Sequence, residues 1–128
     1  MSAPNAMESK VADHILGTAS YTMPADVYLA LFTAAPGEAG GGTEVTASNG
    51  YARALITFGA AVDGLAESNL EVVFTASGGN WGTVTHFAIM DASTSGNMIT
   101  YAQLDEPRIV NNGDSIKFRV GDVKVQVD

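Results

Sequence analysis

Few residues of this chain have the type and spacing for chemistry. They are two histidines, a calcium-like loop, a glycine-rich loop, one adjacent carboxylate pair and a few aromatics. His14 lies in a short helical pattern, and His86 lies in a strand pattern between Thr85 and Phe87. Neither has a second His or a Cys at metal-ligand spacing, so a transition-metal set is not offered. Asp91-Ala92-Ser93-Thr94-Ser95-Gly96 opens like a calcium loop, with alternating oxygen side chains followed by glycine. The bidentate Glu that should complete such a loop is replaced by Ala102, so the segment reads as a turn between strands. Pro36-Gly37-Glu38-Ala39-Gly40-Gly41-Gly42-Thr43 has no Lys and lacks the strand-before, helix-after context of a phosphate cradle. It reads as a flexible loop. Asp105 and Glu106 adjoin, but successive strand residues point to opposite faces, which suits a solvated strand end before Pro107 better than an acid/base pair. No Gly-x-Ser-x-Gly elbow or recognisable Ser/His/Asp set is present. The expectation is a non-enzyme with no catalytic residues, cofactor or metal.

Binding is the better prospect. Trp81, flanked by Asn80 and Gly82, precedes one strand pattern and Tyr51 opens another. Exposed, such aromatics stack on sugars or anchor interfaces; more often they pack in the core. The charges carry more information. Residues 1–107 hold 2 basic and 11 acidic side chains, a sum of -9, whereas residues 108–128 hold 4 basic and 3 acidic, a sum of +1. The four late cations are Arg108, Lys117, Arg119 and Lys124, and the last three take outward positions of alternating strands. Two readings stay open: protection of sheet edges, or a basic patch that docks on an acidic neighbour.

The elements that must position these residues follow from periodicity. Met7, Val11 and Ile15 recur at i, i+4 and i+8, so Met7–Leu16 is predicted to be a short helix. Asn5 is placed to cap it, Glu8 to complete a capping box, and Gly17 to stop it. A helix this short needs a surface to dock on. Ahead of it runs an arm, and Ser2, Pro4, Asn5, Met7 and Lys10 are expected to reach a neighbouring subunit. After Gly17 the period is two. Val27–Phe32 is apolar on both faces and reads as a central strand. Strands are expected at Tyr51–Phe58, Leu70–Phe74, Val84–Met90 and Met98–Leu104, then at Ile116–Val120 and Val123–Val127. Gly121-Asp122 is read as a bulge within one long strand in preference to a tight hairpin. The fold class is all-β: a compact antiparallel sandwich or barrel over 18–128, with the N-terminal arm and short helix at 1–17.

Composition narrows the partners. The 128 residues carry 14 acidic and 6 basic side chains, a formal charge of -8, with 46% apolar residues and no Cys. Disorder is excluded by the apolar content, and disulfides and thiol chemistry by the absence of Cys. An acidic chain argues against nucleic acid or anionic membrane as partner. Met1–Lys10 does not show the basic-then-apolar order of a signal peptide, and the longest apolar runs are strand-sized.

One ordered set of segments has a family likeness. It runs Val27-Tyr28-Leu29-Ala30-Leu31-Phe32-Thr33-Ala34-Ala35-Pro36-Gly37, Gly40-Gly41-Gly42-Thr43-Glu44-Val45, Tyr51-Ala52-Arg53 and Thr57-Phe58-Gly59. Asn80-Trp81-Gly82-Thr83-Val84-Thr85-His86-Phe87, Asp91-Ala92, Gly113-Asp114 and Phe118-Arg119-Val120-Gly121-Asp122 follow. The set, spanning about residues 13–127, resembles small virion proteins of tailed bacteriophages, labelled tail fibre or head decoration proteins. The resemblance implies a structural component present in many copies on a compact β fold. The expected function is therefore capsid decoration: a symmetric homo-oligomer in the virion that bridges capsomers and contacts the major capsid protein. The alternatives are a tail component (tube, baseplate or fibre) and a carbohydrate-binding module built on Trp81 and Tyr51.

Overall fold

The computed structural model describes residues 2–127. In chain order the elements are α1 (Asn5–Leu16), β1 (Val27–Ala34), β2 (Thr43–Glu44), β3 (Ala54–Ile56) and β4 (Leu65–Glu67). β5 (Val72–Thr75), β6 (Gly82–Met90), β7 (Met98–Val110), β8 (Ser115–Phe118) and β9 (Lys124–Gln126) follow. β1 lies inside the principal antiparallel sheet, as its two-sided apolar pattern requires. β6 pairs along one edge of it, with Ala30 opposite Ala88 and Leu31 opposite Phe87. The other edge is shared by β3, across Val27–Leu29, and β2, across Phe32 and Ala34. β7 pairs with the far side of β6.

The inner face of this sheet, with Leu29, Leu31, Phe87 and Ile89, packs on two small ribbons. In one, β5 pairs with β8; in the other, β4 pairs with β9. Their contributions to the core include Val72, Phe74, Ile116, Phe118 and Val123. The alternation at Ile116 and Phe118 thus reads out directly as buried positions between exposed ones. The architecture is sandwich-like and not a closed barrel. The outer face carries a second, smaller core of Ala30, Phe32, Ala88 and Met90, with Met98 and Tyr101 packed against it.

Within its own chain the arm bridges to β7: Ser2 pairs with Tyr101, each N–H donating to the other's carbonyl at 2.9 and 2.7 Å. Several local expectations are corrected. Asn5 does not cap the helix. Pro4, at φ -63° and ψ 151°, takes the cap position, no side chain caps the end, and Asn5 is the first helical residue. Gly17 does end the helix, in the left-handed conformation at φ 79°. β7 continues through Asp105, Glu106 and Pro107 instead of ending before them. Val84 faces Arg108 and His86 faces Gln103, so Leu104–Pro107 lie opposite Thr85 alone. Such a wide bulge accommodates a proline, which has no N–H to give to a ladder.

Gly121-Asp122 is neither bulge nor hairpin. The Asp122 N–H donates to Arg119 O (2.9 Å) with Gly121 at φ 85°, a β-turn that passes the chain from one ribbon to the other. The buried Ser68 hydroxyl secures this turn by accepting the Gly121 and Val123 N–H groups at 3.2 and 3.3 Å. Val120 and Val127, expected as inward strand positions, are exposed. The strand expected at Tyr51–Phe58 is regular only at Ala54–Ile56.

Candidate interaction surfaces

Arg53, just before β3, holds the upper part of the sheet together. Its Nε and Nη2 donate to Glu44 Oε2 and Oε1, both at 2.9 Å, a bidentate pair. Its Nη1 donates to the carbonyls of Ala92 (2.9 Å) and Ser95 (2.7 Å) in the β6–β7 loop. Tyr51 adds a hydroxyl that donates to Glu44 Oε2 (2.6 Å) and accepts the Leu31 N–H (3.1 Å). Burial would raise the Glu44 carboxyl, but the hydrogen bonds from Arg53 and Tyr51 and the guanidinium charge outweigh it and hold the group below its usual range. Burial and the Glu44 carboxylate push the Tyr51 hydroxyl up. The set joins β1, β2, the approach to β3 and the β6–β7 loop.

Asp91 does the same within that loop. Its Oδ1 accepts the Asn97 N–H (2.7 Å), and its Oδ2 accepts Asn97 Nδ2 and the Tyr21 hydroxyl, both at 2.9 Å. These donors outweigh a burial cost and lower the Asp91 carboxyl, while burial and Asp91 push the Tyr21 hydroxyl up to about 12. The calcium-like segment is therefore a hairpin loop closed by its own aspartate. His86 shares a 2.8 Å hydrogen bond with Thr85, and His14 Nδ1 accepts the Tyr21 N–H (3.2 Å). Among the described residues no group of three or more His, Cys, Asp or Glu is placed to hold a metal ion.

The aromatic platform of the carbohydrate-binding alternative is not presented at Trp81 and Tyr51, which pack in the core. Both rings are buried, edge to face at 5.5 Å, and Tyr51 stacks on Phe74 at 6.1 Å. The Trp81 Nε1 donates to Asn49 O (2.9 Å), so its polar edge is used inside the fold. A ring closed off in this way cannot stack on a sugar.

The late cations are spread over separate elements. Lys124 on β9 lies opposite Glu67, at 3.8 Å, and Lys117 on β8 lies 3.9 Å from Glu71. Half-exposed pairs at these distances contribute little stability. Arg108, on β7, lines an open groove of about 510 Å³ with Asp105, Glu106 and Asp122. Arg119 sits in the ribbon-crossing turn, where its N–H donates to Asp122 Oδ2 (2.8 Å). Among the described residues neither arginine forms an ion pair.

The N-terminal elements border another open surface. Met7 is buried on the outer face of the sheet and so faces its own body rather than a neighbour. Beside it is an open slot of about 410 Å³ walled by Met7, Phe32, Met90 and Met98 and rimmed by Gly40–Gly42. Gly42 is required there: at φ 78°, a Cβ would come within 2.8 Å of Ala34 O and Pro36 N. Ser2 is exposed but bridged to β7, Pro4 is buried, and Asn5 donates its N–H to Glu38 O (2.7 Å). Lys10 is exposed.

The family model described as podophage GP4 fiber I protein gp80 matches residues 2–126. The chain belongs to this family. It is therefore a bacteriophage virion structural protein related to fibres. The gp80 match takes in residues 2–12, which the likeness seen in the sequence left outside. No curated protein matches the chain. In the sequence Glu44 and Arg53 stood only in family segments, and Tyr51 was singled out only as a candidate binding aromatic; nothing in their spacing signalled that they meet.

Proposed function

We propose that this protein is a tail-fibre component that works by assembly with copies of itself and with other virion proteins, without catalysis. The match to a fibre family over 2–126 carries the reading. The architecture suits it: the polar groups of Arg53, Glu44, Tyr51 and Asp91 are spent on internal bonds, and the free end of α1 exposes Ile15 and Leu16. Capsid decoration, the function expected from sequence, draws no support from a family described by its fibre. In this reading residues 1–17 are a docking appendage on the sandwich of 18–128. Among the described residues Lys10, Arg108 and Arg119 form no ion pair and could meet an acidic partner, whereas Lys117 and Lys124 face their own glutamates.

Labelled antibody against the protein, applied to purified virions and viewed by electron microscopy, tests this directly. Label at the tail is expected. Label spread over the head shell would overturn the proposal in favour of decoration.

A further inference from the structure

The sequence holds two Asn-Gly pairs, Asn49-Gly50 and Asn112-Gly113. Such a pair can react with itself, because a glycine nitrogen, with no Cβ beside it, approaches the preceding carboxamide unhindered. The glycine nitrogen attacks the asparagine Cγ and gives up its proton to solvent. The Cγ–Nδ2 bond breaks, and that nitrogen leaves as ammonia. Water then opens the resulting succinimide at either carbonyl, leaving aspartate or, with the chain rerouted through the side chain, isoaspartate.

The fold treats the two pairs differently. At Asn112 the nucleophile is engaged: the Gly113 N–H donates to Ala76 O (2.9 Å), and Asn112 Oδ1 accepts the Gly78 N–H (3.0 Å). The Gly50 N–H has no hydrogen-bond partner among the described residues, and Gly50 is exposed to water. Asn49 is at φ 52° and Gly50 at φ 81°, with the Tyr51 N–H donating to Ser48 O (3.0 Å). These are the marks of a type I′ turn, the turn that Asn-Gly favours.

In that turn the reacting atoms are kept apart. Ring closure needs the Gly50 nitrogen eclipsed with Asn49 Cβ about the Cα–C bond, whereas a type I′ turn holds ψ of its first central residue near about +30°. Rotating that bond carries the Asn49 carbonyl oxygen with it. This oxygen accepts both the Trp81 Nε1 and the Ser77 N–H, each at 2.9 Å, so closure must break two hydrogen bonds. The carboxamide is held as well. Its Nδ2 donates to Asn80 O (3.3 Å), and a Cβ at Gly79 would fall 2.6 Å from that nitrogen.

We propose that Asn49 is a self-modification site, with Gly50 as its nucleophile and with the Trp81 and Ser77 donors as the latch that holds it shut in the folded protein. Conversion adds one negative charge to a chain that carries -8. As isoaspartate it also lengthens the backbone inside the turn on which the indole of Trp81 is anchored. The site does not depend on where in the virion the protein sits.

Peptide mass spectrometry tests this on the full-length chain held in mildly alkaline buffer, with and without denaturing urea. The readout is amide-to-acid conversion at each asparagine, with isoaspartate resolved from aspartate by chromatography. In urea Asn49 and Asn112 of wild type are expected to convert at similar rates, and in buffer Asn49 should slow strongly. Trp81→Phe, taken with the circular dichroism spectrum of wild type as the check on folding, should speed Asn49 in buffer. The expected gain is roughly two- to tenfold, the worth of one hydrogen bond, with Asn112 unchanged. Asn112 gauges unfolding, because global opening frees both pairs alike. Asn49 of wild type reacting as fast in buffer as in urea would overturn the latch. So would a folded Trp81→Phe in which Asn49 gains nothing over Asn112. Absence of conversion at Asn49 in urea would overturn the site itself.

Discussion

Arg53 grips Glu44 through two parallel 2.9 Å hydrogen bonds, with the guanidinium side chain only 9% exposed and the carboxylate 26%. The remaining guanidinium nitrogen reaches two loop carbonyls that a shorter donor set would leave bare. Arg53→Lys keeps the charge but loses the fork, so it cannot serve Glu44, Ala92 and Ser95 together. Removing the cation outright, as in Arg53→Ala, costs about 3–5 kcal/mol for a largely buried pair, and the partial exposure of Glu44 puts it at about 3 kcal/mol. Arg53→Lys, which keeps the charge, should cost less than Arg53→Ala. Urea unfolding should show the loss as a lower midpoint at an unchanged slope. An unchanged midpoint would mean that the pair is dispensable.

The same network gives the molecule an acid limit. Glu44 and Asp91 are both held below their ordinary values of 4.5 and 3.8, so the unfolded chain binds protons more readily than the folded one. Their stabilising contribution is full above those ordinary values and is lost as pH falls through the lowered folded ones. Glu44→Gln should lower stability at neutral pH and flatten the decline in acid. Unfolding midpoints measured from about pH 7 to about pH 2 check both. A variant as steep as wild type would place the acid sensitivity elsewhere.

At the alkaline end Tyr21 is the reporter. Its hydroxyl is raised from 10.0 to about 12 by burial and by Asp91, so its contribution is present below 10 and fades as pH rises through the folded value. Phenolate absorbance of wild type should contain a component titrating late, and Asp91→Asn should move that component toward the ordinary value.

What the sequence disclosed depends on whether a signal is local. Val27–Phe32 was legible because an apolar run on both faces has no stable place except within a covered sheet, and Gly17 because a left-handed residue ends a helix. Pro107 misled for the same reason: locally it reads as a strand end, and only the bulge opposite Thr85 lets β7 pass through it. The Arg53–Glu44 pair was invisible because its residues, nine apart on different segments, meet only once β2 and β3 both pair with β1. The loop carbonyls that Arg53 also serves are about forty residues away. The stripe of α1 was correctly periodic, but periodicity says nothing about how far the opposing surface extends. Residue pattern also did not separate head from tail, since both locations call for the same small β body.

Met7 fastens that helix. It is buried between the outer face of the sheet and the slot, while the helical residues from Glu8 onward are exposed. Isolated helices of this length are marginal in water, so α1 depends on this contact and on the Tyr21 strap. Met7→Ala should cost about 2–5 kcal/mol if the helix stays docked. If docking is lost, the loss is smaller and helical circular dichroism falls. Val11→Ala, at a half-exposed position, should change the stability of the monomer by less than about 0.5 kcal/mol. Equal effects of the two substitutions would show that Met7 is not the fastening point.

Trp81 separates packing from hydrogen bonding. Its ring meets Tyr51 edge to face at 5.5 Å, and its Nε1 donates to Asn49 O, a carbonyl in a turn where Asn49 and Gly50 both have positive φ. The Ser77 N–H also donates to that carbonyl, at 2.9 Å, so the turn keeps one donor when the indole is lost. Trp81→Phe retains most of the apolar ring and removes one hydrogen bond, for an expected cost of about 1–2 kcal/mol. Trp81→Ala also removes the ring and should cost about 3–5 kcal/mol. A glycan array probed with wild type should be flat, because the aromatic face is turned into the core. Sugar binding that Trp81→Phe preserves and Trp81→Ala abolishes would show that the ring is reached from outside after all.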